Sequence, residues 1–153
     1  MKKIYVLLFC IGFTFGIQAQ EFNFIPSSPE IKQLANGWYK YSFEGTNFDV
    51  EILAGKLSQG NINWFDGSSY SGGLSGNAFA GKGTYTWPDG SKYEGAFKKN
   101  QRSGKGSFTN VDGTKWSGKW KDNLRNGKGK IFDKDGNILK EGLWKSDKLI
   151  EKK

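Results

Sequence analysis

Tyr93-Glu94-Gly95-Ala96-Phe97, followed by Gly104-Lys105-Gly106 and then Asp112-Gly113, decides how this chain folds, because every part of it recurs at one interval. Asp66-Gly67, Asp89-Gly90, Asp112-Gly113 and Asp135-Gly136 stand 23 residues apart each time. Gly81-Lys82-Gly83, Gly104-Lys105-Gly106 and Gly127-Lys128-Gly129 keep the same spacing, as do Tyr70, Tyr93 and Trp116 with Gly72, Gly95 and Gly118 two places on. A fixed period of this length marks an array whose units are each too small to bury an apolar face alone.

Within a unit the pattern alternates. Tyr93, Gly95 and Phe97 share a face, as do Gly104, Gly106 and Phe108 on the next strand, so each unit reads as a β-hairpin. Asn100, Asn123 and the Asp-Gly pairs mark the turns; in Pro88-Asp89-Gly90 proline fixes φ and glycine accepts a positive one. The expectation is an all-β, elongated antiparallel meander with two strands per repeat, advancing about 10 Å per repeat.

Glycine inside a strand normally weakens it. Here Gly72, Gly83, Gly95, Gly106, Gly118 and Gly129 fall on the aromatic face, and bare backbone at those sites lets a neighbouring ring lie across it. That face should carry Tyr70, Tyr85, Tyr93, Phe97, Phe108, Trp116, Trp120 and Trp144, with Ile131. It is either the core of a thin sheet or an exposed platform for stacking a ligand. Lys82, Lys105 and Lys128 sit between glycines and point the other way, and Lys119 and Lys130 follow the same parity. The lysine stripe is either a solvated face that blocks aggregation or a surface for anions and lipid head groups.

The residues of Tyr93–Phe97, Gly104–Gly106 and Asp112-Gly113, together with Gly81–Gly90, resemble the MORN (membrane occupation and recognition nexus) repeat over about residues 60 to 149. The resemblance implies a β-hairpin array with an interaction or scaffolding role and possible contact with lipid head groups; it does not imply catalysis. Only Tyr93-Glu94-Gly95 keeps the family's acid, with Ser71 and Ser117 in its place elsewhere. Leu139-Lys140-Glu141-Gly142 holds one extra residue, so a bulge or the end of the array is expected there. Asn61 to Gly67 keeps only the second strand of an upstream unit, whose degenerate first strand is Phe48–Ile52.

Composition narrows the chemistry. The 153 residues include no histidine, one cysteine (Cys10), 22 glycines and 12 Phe, 6 Tyr and 6 Trp. Imidazole catalysis and His-ligated metals are therefore excluded. Lys2 and Lys3, the apolar run Ile4 to Ile17 and the small Ala19 read as a cleaved export signal over 1–19, with a junction resembling bacterial export signals. The mature chain would hold no cysteine, so no disulfide and no thiol chemistry is expected in the periplasm, at the cell surface or in the medium. Paired carboxylates are the remaining catalytic option, but Asp66, Asp89, Asp112 and Asp135 serve turns. Gly-Lys-Gly lies within a strand with no helix after it, so it is no phosphate loop. No enzyme activity, cofactor or metal is expected.

Residues 20–47 precede the array, set at 48–153, and are expected to cap it. Ser28-Pro29-Glu30 reads as the start of a short helix stopped by Asn36-Gly37, followed by a strand over Trp38–Phe43 and a turn at Glu44-Gly45-Thr46. Residues 20–69 carry three lysines against six acids, whereas 70–153 carry 18 basic residues against nine acids, so an anionic partner should meet the C-terminal half. The favoured function is a binding or scaffolding module of the cell envelope that holds a protein partner or self-associates. Attachment to anionic membrane head groups through the lysines comes second. Glycan binding, which needs Trp87 and Trp120 exposed, is third, and nucleic acid is last.

Overall fold

The computed structural model describes residues 34–152. They form eleven strands: β1 (Gly37–Phe43), β2 (Thr46–Leu53), β3 (Lys56–Asn63), β4 (Ser69–Ser75), β5 (Ala78–Thr86), β6 (Lys92–Lys98), β7 (Gln101–Thr109), β8 (Lys115–Lys121), β9 (Leu124–Phe132), β10 (Ile138–Lys145) and β11 (Lys148–Lys152). Every strand pairs antiparallel with its neighbours in the chain, so the sheet is one open meander. The expected start of a helix at Ser28-Pro29-Glu30 lies outside the described residues. Where the expectation reaches described chain it fails, since Leu34–Asn36 is not helical. Asn36 instead accepts the Ala54 backbone N–H at 2.7 Å, which ties the lead-in to the β2–β3 turn. β1, over the expected strand, pairs along its whole length with β2 and is the first strand of the same sheet.

Two kinds of turn alternate along the ribbon. The longer ones contain the Asp-Gly pairs. In Trp87–Ser91 the Gly90 N–H bonds the Trp87 carbonyl at 2.9 Å, and Ser91 donates from both N–H (2.8 Å) and Oγ (2.7 Å) to Asp89 Oδ1. Gly90 has φ +88°, a left-handed conformation that favours glycine. The same arrangement recurs at Asp66 with Ser68 and at Asp112 with Thr114. In the fourth loop the work passes from the expected Asp135 to Asp133, whose Oδ1 accepts the N–H groups of Asp135 and Asn137. The tight turns Lys99-Asn100, Asp122-Asn123 and Ser146-Asp147 have positive φ at both residues, which matches the twist of the strands they join. Their second side chains reach back one repeat: Asn100, Asn123 and Asp147 accept the backbone N–H of Phe79, Arg102 and Arg125 at 2.7, 2.7 and 2.8 Å.

Each repeat hairpin carries a bulge absent from the simple alternation read in the sequence. Gly95 pairs with Gly106 and Phe97 with Arg102, so Ala96 alone faces Ser103, Gly104 and Lys105. The other two repeats do the same, with Gly73 facing Ala80–Lys82 and Lys119 facing Asn126–Lys128. Gly81, Gly104 and Gly127 sit in these bulges at φ +68°, +73° and +102°. Gly104 is therefore a bulge residue rather than the plain strand glycine expected. The extra residue at Leu139 also produces its expected bulge, between Ile138 and Lys140.

The core occupies one side of the sheet. Tyr70, Tyr85, Tyr93, Phe97, Trp116, Trp120 and Trp144 are buried and Phe108 and Ile131 pack against them, together with Phe79, Trp64 and Trp87. Rings meet edge to face along the ribbon: Tyr93 on Phe97 at 5.0 Å, Tyr93 on Trp120 at 5.3 Å and Trp116 on Trp120 at 4.8 Å. The in-strand glycines make this closure possible. A Cβ on Gly83 would stand 2.5 Å from the Tyr70 hydroxyl, and one on Gly118 would stand 2.7 Å from the Trp116 ring. Tyr93 lies across Gly95 and Gly106 in the same way. The Tyr70 and Tyr93 hydroxyls then donate to the Gly73 and Ala96 carbonyls at 2.7 and 3.0 Å.

Candidate functional site

The face opposite the rings carries the lysines. Strand alternation places Ser117, Lys119 and Lys121 there because Trp116, Gly118 and Trp120 face the core. The bulges push Lys82, Lys105 and Lys128 out on the same side, and all four of Lys82, Lys105, Lys119 and Lys128 are exposed. Lys105 pairs directly with Lys119, and Lys82 with Ala96. A groove of about 410 Å³ is lined by Lys105, Ser107, Ser117, Lys119 and Lys128 over Gly106 and Gly118. A second groove beside it holds Lys82, Thr84, Glu94 and Lys105. The sequence-derived stripe is thus one connected surface, although Lys130 is drawn into an ion pair with Glu141 at 3.2 Å.

The aromatic face offers no comparable opening. Trp87 is 8% exposed and Trp120 is 6%, so neither ring is available for stacking a sugar. Sequence reasoning missed two residues inside that face. The Arg102 guanidinium carbon lies 4.3 Å from the centroid of Trp120 and within 6 Å of Tyr93, Trp87 and Phe108. Arg125 sits 4.5 Å from the Trp144 centroid and pairs with Asp147 at 3.0 Å. Both follow a turn at the repeat position of Phe79, Arg102 one period after it and Arg125 two, which was the available signal. They are framework cations, so part of the positive balance of the C-terminal half is not available to a partner.

Electrostatics separates the two faces further. Burial pushes the Tyr93 phenol up to about 12, partly opposed by Arg102, and the Tyr41 phenol also to about 12. Burial pushes Tyr70 and Tyr85 up as well. Desolvation among the rings pulls the Arg102 guanidinium below its ordinary value. Asp66, Asp89 and Asp112 are held below the usual carboxylate range by the Ser68, Ser91 and Thr114 side chains first and their backbone N–H groups second. Those carboxylates are therefore charged turn residues rather than proton donors. Among the described residues no group of three or more His, Cys, Asp or Glu is placed to hold a metal ion.

The spacing, the ring over paired glycines and the Asp-Gly loops are on one register three times over, and the MORN repeat family matches residues 70–92, 93–115 and 116–138. Residues 70–138 are three tandem MORN repeats. No curated protein matches the chain. MORN repeats form a non-catalytic repeat family and indicate a binding or scaffolding role. The β2–β3 hairpin upstream and the β10–β11 hairpin downstream extend the MORN sheet beyond the matched segments, with Ile52 opposite Leu57 and Trp144 opposite Leu149 where the repeats have Phe97 opposite Arg102.

Proposed function

We propose that the chain is an exported, non-catalytic binding and scaffolding module of the cell envelope whose working surface is the lysine-bearing face. One observation carries this reading: the aromatic face is closed by the protein's own rings, which leaves the lysine face as the broad accessible surface of the repeats. The partner that fits it is an acidic protein. Self-association face to face would bring Lys82, Lys105, Lys119 and Lys128 of two copies together, so a different, anionic molecule suits the charge better. Pull-down from envelope extracts with the wild type and with a Lys82→Ala/Lys128→Ala variant tests this. An acidic partner retained by the first and lost by the second is expected; a monomer by light scattering that retains nothing in either form contradicts it.

Anionic membrane head groups are the second reading, supported by the same line of lysines, each contributing about 1 kcal/mol near an anionic surface. Among the described residues no helix is long and apolar enough to cross a membrane. Sedimentation with vesicles should rise with anionic lipid and fall with salt; indifference to both would exclude it. Export rests on residues 1–19, which lie outside the described residues. N-terminal sequencing of protein recovered from the native host should begin at Gln20, and a retained Met1 would contradict export.

A further inference from the structure

We infer that the groove between β7 and β8 is a subsite for a compact oxyanion bearing two or more negative charges, of the phosphate-monoester or pyrophosphate class. The inference rests on the reading of the lysine face as the binding surface and names where on it the ligand is gripped.

The three repeats act as internal controls for one another. The position opposite the bulge lysine is Gly73 in the first repeat, Ala96 in the second and Lys119 in the third. Ala96 leaves Lys82 facing a methyl group, whereas Lys119 stands directly opposite Lys105. Like charges placed directly across a strand pair destabilise it. Lys128 arrives from the β9 bulge on the other flank, with the Lys119 stem packed along Gly127, so a Cβ there would meet it at 3.2 Å. Three lysines on three neighbouring strands, which span about 10 Å of ribbon, thus line one groove.

Among the described residues no carboxylate forms an ion pair with them; Glu94, which shares the second groove with Lys105, pairs with Lys92. The ion pairs among the described residues are Lys40–Asp49, Lys92–Glu94, Arg125–Asp147 and Lys130–Glu141, and none involves Lys105, Lys119 or Lys128. The neighbouring groove contains Glu94, while the corresponding position in this one is Ser117. Ser107 Oγ donates to Ser117 Oγ at 3.0 Å, which leaves the Ser117 O–H beside the lysines as a further donor. A single carboxylate would leave most of this charge unbalanced. A dianionic oxyanion with several acceptor oxygens satisfies ammonium and hydroxyl donors together.

Thermal unfolding of the full chain in pyrophosphate and in sodium chloride at equal ionic strength tests the subsite. Pyrophosphate should raise the Tm further than chloride, because it binds the folded state through this groove. Lys119→Ala reproduces the side chain of Ala96 and should fold. It should melt no lower than wild type in chloride, lose the pyrophosphate-specific shift, and bind pyrophosphate roughly tenfold more weakly by calorimetry. Lys148→Ala on β11 removes the same charge elsewhere and should keep the shift. Vesicles with phosphomonoester head groups, compared with phosphodiester vesicles of equal charge, distinguish the source. Preference for the former assigns the ligand to a lipid, and no preference with the pyrophosphate shift intact assigns it to a soluble molecule. Equal stabilisation by chloride, or an undiminished pyrophosphate shift in Lys119→Ala, overturns the subsite. An acidic protein still captured by Lys119→Ala in that event would leave the broader binding reading standing.

Discussion

At Gly83 the space for a side chain is already filled by the Tyr70 phenol, so Gly83→Ala forces the ring or the backbone to move. Overpacking of this kind costs about 2 to 3 kcal/mol, readable as a lower urea midpoint. Gly90→Ala makes the informative contrast. Nothing lies within 4 Å of a Cβ there, and the penalty comes from its φ of +88° alone, about 1 kcal/mol. Equal losses at the two sites would mean that the rings do not lie over the glycines. Arg102→Ala removes an aliphatic stem and a guanidinium set against four rings, and should cost about 2 kcal/mol or more with little change in attraction to anions. A surface role for Arg102 would give the reverse: unchanged stability and weaker anion binding.

The hairpin is the element on which pH acts. The phenols of Tyr41 and Tyr93 ionise near 12 in the folded sheet, whereas those of an unfolded chain lose protons near 10. Their folded pKa lies above the unfolded one, so the stability tied to them is complete below about 10 and is lost as pH rises from there towards 12. Phenolate absorbance should show a late-titrating class of tyrosines that joins the early class on unfolding. In the Asp-Gly loops the sign reverses. Asp66, Asp89, Asp112 and Asp133 have lowered pKa values, so their contribution is present above the unfolded value of about 3.9 and disappears as pH falls through the lower folded ones. Asp112→Asn should reduce this acid sensitivity; an unchanged acid midpoint would show that the loop bonds do not form.

Much of this element was legible because period, alternation and turn chemistry each act over a few residues. The ring-and-glycine face, the lysine parity and the strand over Trp38–Phe43 follow from those local rules. The bulges at Gly81, Gly104 and Gly127 were not legible, because a bulge depends on the partner strand, and a glycine looks the same in register or out of it. Arg102 and Arg125 read as surface charge because their burial depends on rings contributed by other hairpins. The use of Asp133 in place of Asp135 turns on loop geometry within a few residues, where both acids fit the same rule.

Across the whole molecule the sheet is additive, each repeat contacting its neighbours in sequence. Deleting residues 93–115 removes one full period and brings Trp116 to the place of Tyr93, next to the same class of glycine partner. That shortened chain should fold to a β spectrum with a lower Tm. Deleting 93–114 shifts every later side chain to the opposite face and should not fold. Equal behaviour of the two deletions would contradict the meander. The central claim, a ring face closed by its own packing and a lysine face left open, is most directly tested by acrylamide quenching of tryptophan fluorescence. Of the six tryptophans Trp38 is 51% exposed and Trp64, Trp87, Trp116, Trp120 and Trp144 are buried, so one accessible component that vanishes in Trp38→Phe is predicted. Quenching of most of the emission at the rate of free indole would contradict it.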